Sequence, residues 1–235
     1  MIVLVVLLLI VLLITLIRRK PYRESFITKD YSKYDKNDKM LVHIPKTGGT
    51  SLTKIPSVRS PSSFGSIVSH NKLPNNIKEN LYVFAIMRDP YDRFESAFWH
   101  HKTLGDPKHH WNIDSLGSKI RHHFEDPNQF IRAIQDPEHP KHIIAKNQFR
   151  YWVHFKPQVD WLKDSQGVID TRITDIFVYN KELGTMLNKH PMFKGEKVPF
   201  LNKTPSHNRV GLDDNSKKFI EEYYKEDLEM FNSIK

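Results

Sequence analysis

The chain has 235 residues, a formal net charge of +9 and no cysteine. The absence of cysteine excludes disulfide bonds, cysteine-ligated zinc and a cysteine nucleophile. The excess of Lys and Arg favours an anionic partner, such as a nucleic acid, an acidic glycan, a nucleotide or a membrane surface. The alternative is that the charge only keeps the protein soluble.

The first seventeen residues are uncharged and almost wholly apolar. As a helix they would extend roughly 25 Å, slightly less than the ~30 Å hydrocarbon core of a bilayer. We expect residues 1–17 to form an uncleaved transmembrane anchor, residues 18–38 a polar stem and residues 39–235 one domain. The basic cluster Arg18-Arg19-Lys20 follows the apolar run, and the positive-inside rule would keep the domain on the cytoplasmic side.

Within this domain, apolar runs of strand length alternate with segments of helical period, which favours an α/β fold with a parallel sheet. Strands are predicted at residues 40–44, 81–87 and 173–179. Helices are predicted at residues 90–101, 127–134 and 213–234, the last beginning at Asp213 or Asp214. A long surface loop is expected over residues 102–118.

The segment Pro45-Lys-Thr-Gly-Gly-Thr-Ser51 directly follows the first predicted strand. Its glycines let the backbone close around an anion, and open α/β sheets bind ligands beyond the carboxyl ends of their strands. The lysine precedes the glycines, so this is not the triphosphatase loop GxxxxGK[ST]. The alternative is a turn without a ligand. The predicted anion ligands are Lys46, Thr47, Gly48, Gly49, Thr50 and Ser51.

A second candidate, Arg88-Asp-Pro-Tyr-Asp-Arg-Phe-Glu-Ser-Ala-Phe98, follows the most apolar strand. Arg88 can direct two N–H groups at a phosphate, and Ser96 can add a hydroxyl. Asp89 and Pro90 suit a helix start. A structural Arg–Asp ion pair is the alternative. Because Arg88, and not an aspartate, ends the strand, a magnesium-triphosphate site is poorly supported.

The two segments together resemble the sulfotransferases that use 3′-phosphoadenosine 5′-phosphosulfate (PAPS), above all the carbohydrate group containing heparan sulfate 2-O-sulfotransferase. HIPKTGGTS resembles the family's 5′-phosphosulfate loop. RDPYDRFESAF resembles its 3′-phosphate element, with Arg88 and Ser96 in matching places. Weaker similarity in KPQVDWL, DIFVYNKEL and PFLNKTPSHNR extends the resemblance over roughly residues 40–235.

The resemblance implies a P-loop-like sandwich around a short parallel sheet. It also implies metal-free, in-line transfer of a sulfuryl group from PAPS to a carbohydrate hydroxyl, with Lys46 stabilising the charge on the bridging oxygen. The acceptor would be a glycan and not a nucleic acid. Members are mostly type II Golgi proteins, which implies a lumenal domain, against the charge rule.

The transfer requires a base for the hydroxyl proton. His70, which lies between the two segments, matches the interval of the family's catalytic histidine, and Glu95 is the alternative; His70 could also be a solvated loop residue. His43 is expected to pack inside the first strand, and the histidine pairs at 100–101, 109–110 and 122–123 are expected at the surface.

A later segment resembles one that closes over the nucleotide in the family, through Lys203 and Thr204. Asn202 is equally a glycosylation acceptor if the domain is lumenal. Basic residues that could contact the acceptor are Lys102, Lys108, Arg121, Arg150 and Lys156, each of which could also be an ordinary surface charge. Two rival functions remain, a P-loop small-molecule kinase and a non-catalytic relative that binds anionic glycans.

Overall fold

The computed structural model describes residues 38–59, 73, 77, 81–103, 119–197 and 210–235, all within the compact unit Tyr34–Lys235. The predicted anchor, nearly all of the stem, and His70, Asn202, Lys203 and Thr204 lie outside these residues. In the described part of the chain, no helix combines the length and apolar character needed to cross a bilayer.

The described residues form an α/β fold around a four-stranded parallel sheet. The strands are β1 (Lys39–Val42), β2 (Val58–Arg59), β3 (Tyr82–Met87) and β4 (Asp175–Val178), in the spatial order β2-β1-β3-β4. The three predicted strands are confirmed, with shorter bounds. β2 has only two residues, too few for any periodicity to be visible in the sequence.

Both faces of the inner strand β3 are buried, which explains its unbroken apolar run. Phe84 and Ile86 of β3 join Leu41 of β1 in one apolar cluster. Val83 and Ala85, which point to the opposite face, are also almost fully buried. Since side chains alternate between faces, a strand buried on one face only would show alternating polar residues.

The helices pack around this sheet. They are α1 (Gly49–Leu52), α2 (Pro90–Thr103), α3 (Ile120–His123), α4 (Pro127–Gln135), α5 (His142–Tyr151), α6 (Val159–Leu162), α7 (Leu183–Lys189), α8 (Asp214–Tyr223) and α9 (Lys225–Ile234). Among the described residues, short 3₁₀ turns occupy Val153–Phe155 and Pro191–Phe193.

The predicted helix at residues 90–101 is confirmed as α2, and Phe94, Phe98 and His101 are buried on it. The single helix predicted over residues 213–234 is wrong in one respect, because it is interrupted at Tyr224. The buried Tyr224 hydroxyl donates a hydrogen bond to the carbonyl of Phe155 at 2.5 Å. The apolar stripe continues through both helices, so its period alone could not reveal the interruption.

Candidate functional site

The two predicted anion-binding segments meet at the carboxyl ends of neighbouring parallel strands. β1 and β3 are neighbours, and β2 lies on the other side of β1. The chain therefore reverses its direction of winding between β1 and β3. Such a switch point is where open α/β sheets form a ligand crevice beyond the carboxyl ends of their strands. The Pro45–Ser51 segment follows β1, and Arg88 follows β3, so both segments border this crevice.

The loop after β1 has two residues in the left-handed backbone region, Lys46 with φ 69° and Gly48 with φ 85°. Glycine accepts this conformation at no steric cost, whereas for lysine it is strained and persists only where its surroundings hold it. Two arginines hold the backbone here. Arg88 Nη1 donates to the Lys46 carbonyl at 3.3 Å, and Arg93 Nε donates to the Pro45 carbonyl at 3.0 Å.

Both glycines of the loop are required by close neighbours. A Cβ on Gly48 would lie 2.6 Å from the Tyr179 ring, and a Cβ on Gly49 would lie 2.0 Å from the His43 ring. His43 is half-buried and follows β1, so the prediction that it lies inside the strand is wrong. The ring occupies the space that a side chain at residue 49 would need.

The backbone of Arg88 is fixed by a buried glutamine. The Gln158 side chain accepts from the Arg88 N–H at 2.9 Å and donates to the Arg88 carbonyl at 2.8 Å. Asp227 fixes this segment in turn, since its carboxylate accepts from the N–H groups of Gln158 at 2.7 Å and Val159 at 2.9 Å. Burial raises the pKa of Asp227, although these hydrogen bonds oppose the shift.

The Arg88 side chain lies between the two segments. Its guanidinium carbon is 4.9 Å from the centroid of the Tyr179 ring, a cation–π contact at the carboxyl end of β4. Its Nε is buried and has no hydrogen-bond partner among the described residues. A buried donor without a partner is costly, and an anion in the crevice is one group that would satisfy it.

Arg93 is an important residue at the carboxyl ends of the strands, and no sequence motif pointed to it. It is 1% exposed, and burial lowers the pKa of its guanidinium. It is five residues after Arg88, directly before the core residue Phe94. An arginine next to a core position in a helix start was the available signal, but nothing in the sequence showed that it would bind the backbone of the loop after β1.

The remaining predicted ligands differ in their surroundings. The Thr47 hydroxyl donates to the Ile44 carbonyl at 2.9 Å and so supports the loop itself. Thr50 is exposed and Ser51 half-buried. Ser96 is buried on α2, one turn after Arg93 and on the same side of the helix. Asp89 caps α2 by accepting from the N–H of Tyr91 at 2.9 Å, as expected for a helix start.

His101 corrects the expectation that this histidine pair lies at the surface, because its side chain is fully buried. Its Nε2 is 3.1 Å from His154 Nδ1. Burial, and then the positive charges of His100 and Lys46, lower the pKa of His101 well below its usual value. No pattern around residue 154 indicated such a pairing.

Comparison of the chain with protein-family models, with curated proteins and with solved structures finds no match.

Proposed function

We propose that this protein transfers a sulfuryl group from PAPS to a hydroxyl of a carbohydrate acceptor. The observation that carries the proposal is the contact between the two anion-binding segments, in which Arg88 donates to the backbone of Lys46 across the switch point of the sheet. The residues of the two segments each indicate an anion site, and the resemblance assigns one segment to each phosphate-bearing end of the nucleotide. A ligand with anionic groups at two positions suits such an arrangement.

The fit to PAPS is supported by the donors at this edge. The nucleotide carries a 3′-phosphate and a 5′-phosphosulfate. In the proposal, Arg88 and Ser96 bind the 3′-phosphate, and the loop from Lys46 to Ser51 binds the 5′-phosphosulfate. Lys203 and Thr204 would close over the nucleotide. The unpartnered Arg88 Nε and the tight approach of Tyr179 and His43 to the loop glycines are consistent with a rigid anion cradle.

The proposed chemistry is an in-line displacement without a metal ion. The acceptor oxygen attacks sulfur while the bond from sulfur to the bridging oxygen breaks, and the electron pair of that bond remains on adenosine 3′,5′-bisphosphate. The Lys46 ammonium would stabilise this charge, as preorganised charges do in other transfer reactions. A base takes the hydroxyl proton; His70 or Glu95 is predicted from the sequence, and Glu95 is half-buried on α2.

The kinase alternative is less well supported at the strand ends. Magnesium-dependent P-loop enzymes place a carboxylate after a buried strand. In this chain the residues directly after β1, β3 and β4 are His43, Arg88 and Tyr179.

We further propose that the fold is a P-loop-like sandwich, because helices accompany a parallel sheet whose inner strand β3 is buried on both faces.

The experiment is a transfer assay with the full-length protein in mild detergent, sulfur-labelled PAPS and separate heparan, chondroitin, simple glycan and tyrosine-peptide acceptors. We expect label in a glycan acceptor. Lys46→Ala should lower turnover by about 10²-fold or more, the scale for loss of one preorganised donor. Lys54→Ala should not, because Lys54 is exposed and lies three residues after the segment. Binding of a polyanionic glycan without transfer of label would favour the non-catalytic alternative. In a parallel assay with ATP labelled in its terminal phosphate, transfer of that label would favour the kinase.

We also propose a type II orientation with the domain in the Golgi lumen. This orientation rests on the resemblance and is opposite to the one that the positive-inside rule predicts. In sealed microsomes the domain should resist added protease until detergent is supplied. Digestion without detergent would place the domain on the cytoplasmic side, as Arg18-Arg19-Lys20 predicts.

A further inference from the structure

The loop after β1 presents a run of backbone N–H groups. Among the described residues, the N–H groups of residues 47–50 make no backbone hydrogen bond, whereas the next two donate to the Gly48 carbonyl at 2.9 and 3.3 Å. Lys46 and Gly48 have positive φ, and Thr47 between them does not. Alternation of this kind is typical of nests, in which successive N–H groups form a concave anion site. The left-handed conformation of Lys46 therefore contributes to the shape of the loop.

The peptide groups on both sides of Lys46 are held by arginine side chains. Before Lys46, Arg93 Nε donates to the Pro45 carbonyl at 3.0 Å. After it, Arg88 Nη1 donates to the carbonyl of Lys46 itself at 3.3 Å. A peptide group is planar, so a hydrogen bond that fixes its oxygen also fixes its plane. Because the plane before a residue defines φ, Arg93 acts on the angle of Lys46 that has the left-handed value of 69°.

Arg93 extends from a rigid part of the molecule. It lies in the first turn of α2, where its N–H donates to the Asp89 carbonyl at 2.8 Å. The next residue, Phe94, packs against the rings of Phe130, Phe149, Phe155 and Tyr224. A side chain that is anchored in a packed core can hold a loop more precisely than another loop residue can.

The burial of Arg93 is costly for the fold. Its side chain is 1% exposed, and its Nη2 is buried without a hydrogen-bond partner. In the described part of the chain, the Pro45 carbonyl is the acceptor of its one hydrogen bond. Burial lowers the pKa of its guanidinium, and Tyr224 and Asp227 offset this only in part. Since apolar residues of similar volume often replace buried charges without loss of stability, stability alone does not account for an arginine here.

We propose that Arg93 is a positioning residue of the transfer, which holds Lys46 and the N–H groups after it in the conformation that receives the 5′-phosphosulfate. The inference rests on the proposed sulfuryl transfer. In that reaction the acceptor oxygen gives its proton to the base and bonds to sulfur. The bond from sulfur to the bridging oxygen breaks, and its electron pair stays with adenosine 3′,5′-bisphosphate beside the Lys46 ammonium. Arg93 fixes the backbone from which this ammonium extends.

The first test measures turnover at saturating PAPS and glycan for full-length wild type, Arg93→Met and Arg93→Lys. Methionine retains apolar volume but has no donor, so Arg93→Met should lower turnover by about 10²-fold, the scale for a small misplacement of a catalytic group. Lysine retains the charge and one donor, so Arg93→Lys should recover most of this loss. Arg132→Met is the matched control, because Arg132 is half-exposed and pairs with Asp213; it should behave as wild type.

The second test uses two mononucleotides in calorimetry, 5′-AMP for the 5′ end of the site and 3′-AMP for the 3′ end. Arg93→Met should weaken 5′-AMP binding by roughly tenfold or more, the lower end for lost charged hydrogen bonds. Binding of 3′-AMP should stay within about threefold of wild type, because Arg88 and Ser96 are unchanged. A residue that only supported the fold would weaken both ligands alike.

A double-mutant cycle tests whether Arg93 acts through the backbone of Lys46. Glycine adopts positive φ without strain, so in the Lys46→Gly background the loop needs less support. Adding Arg93→Met to Lys46→Gly should therefore weaken 5′-AMP binding several-fold less than adding it to wild type. The same loss in both backgrounds would overturn the proposed route of action.

The outcomes separate this inference from the proposed function. Wild type that transfers no label overturns the sulfuryl transfer, and the role of Arg93 with it. If the wild type transfers label, three results overturn the role of Arg93 alone: Arg93→Met within about threefold of wild-type turnover, equal losses for 5′-AMP and 3′-AMP, or no recovery in Arg93→Lys. Circular dichroism should show that Arg93→Met is folded, and a failure to fold would assign Arg93 to stability and overturn the inference as well.

Discussion

The loop after β1 depends on the absence of a side chain at Gly49, and Gly49→Ala tests this directly. The new Cβ would lie 2.0 Å from the His43 ring, well inside the 3.4–4 Å of ordinary van der Waals contact. The backbone of Gly49 is outside the left-handed region, so alanine adds steric overlap without a conformational penalty. Gly48 would not isolate the effect, because its φ is 85°.

The expected loss in free energy of unfolding is about 1–3 kcal/mol, the scale for forcing extra volume into a packed site. For a chain of this size, each kcal/mol lowers Tm by roughly 2–4 °C, so Gly49→Ala should melt about 2–12 °C below wild type. Gly211→Ala is the matched control, because its Cβ would meet nothing within 4 Å. Thermal unfolding followed by circular dichroism gives both values.

A double-mutant cycle with His43→Ala identifies the cause. If the ring is responsible for the loss, adding Gly49→Ala to His43→Ala should cost much less than adding it to wild type, whatever His43→Ala costs by itself. A Gly49→Ala protein as stable as Gly211→Ala would refute the predicted overlap. A full loss that persists in the His43→Ala background would refute the role of the ring.

Two further predictions concern the nucleotide and a helix cap. Arg88→Ala should weaken 3′,5′-ADP binding by roughly 10- to 150-fold, which corresponds to about 1.5–3 kcal/mol for a charged hydrogen bond. The same variant should weaken binding of 5′-AMP much less, because 5′-AMP has no 3′-phosphate. Equal losses for both ligands in calorimetry would contradict the 3′-phosphate assignment. Asp213→Ala should cost about 0.5–2 kcal/mol at pH 7, because Asp213 accepts from the Ser216 N–H at 2.8 Å. That hydrogen bond, and then Arg132, lower the pKa of Asp213, so its contribution is present above the unfolded pKa of about 3.9 and is lost as pH falls through the folded value. Urea unfolding of wild type and Asp213→Ala should therefore converge below about pH 4, and a gap that stays constant in acid would show that the carboxylate charge is not responsible.

The sequence by itself determined the three longer strands of the sheet, because buried parallel strands must be continuously apolar and their length separates them from helices. It also located both segments at the carboxyl ends of strands, since Gly48, Arg88 and the Asp89-Pro90 helix start follow apolar runs directly. These features depend on neighbouring residues along the chain, and local composition records them.

Tertiary structure decided which side chains meet. Arg88 is fixed by Gln158, seventy residues later, and Gln158 by Asp227, a further sixty-nine; hydrogen bonds over such separations leave no periodic trace. The same holds for His101, whose polar neighbours in sequence suggested the surface. Its position on the apolar side of α2 and the approach of Trp152, His154 and Phe155 bury it, because burial depends on what packs against a residue and not on what is next to it in the chain.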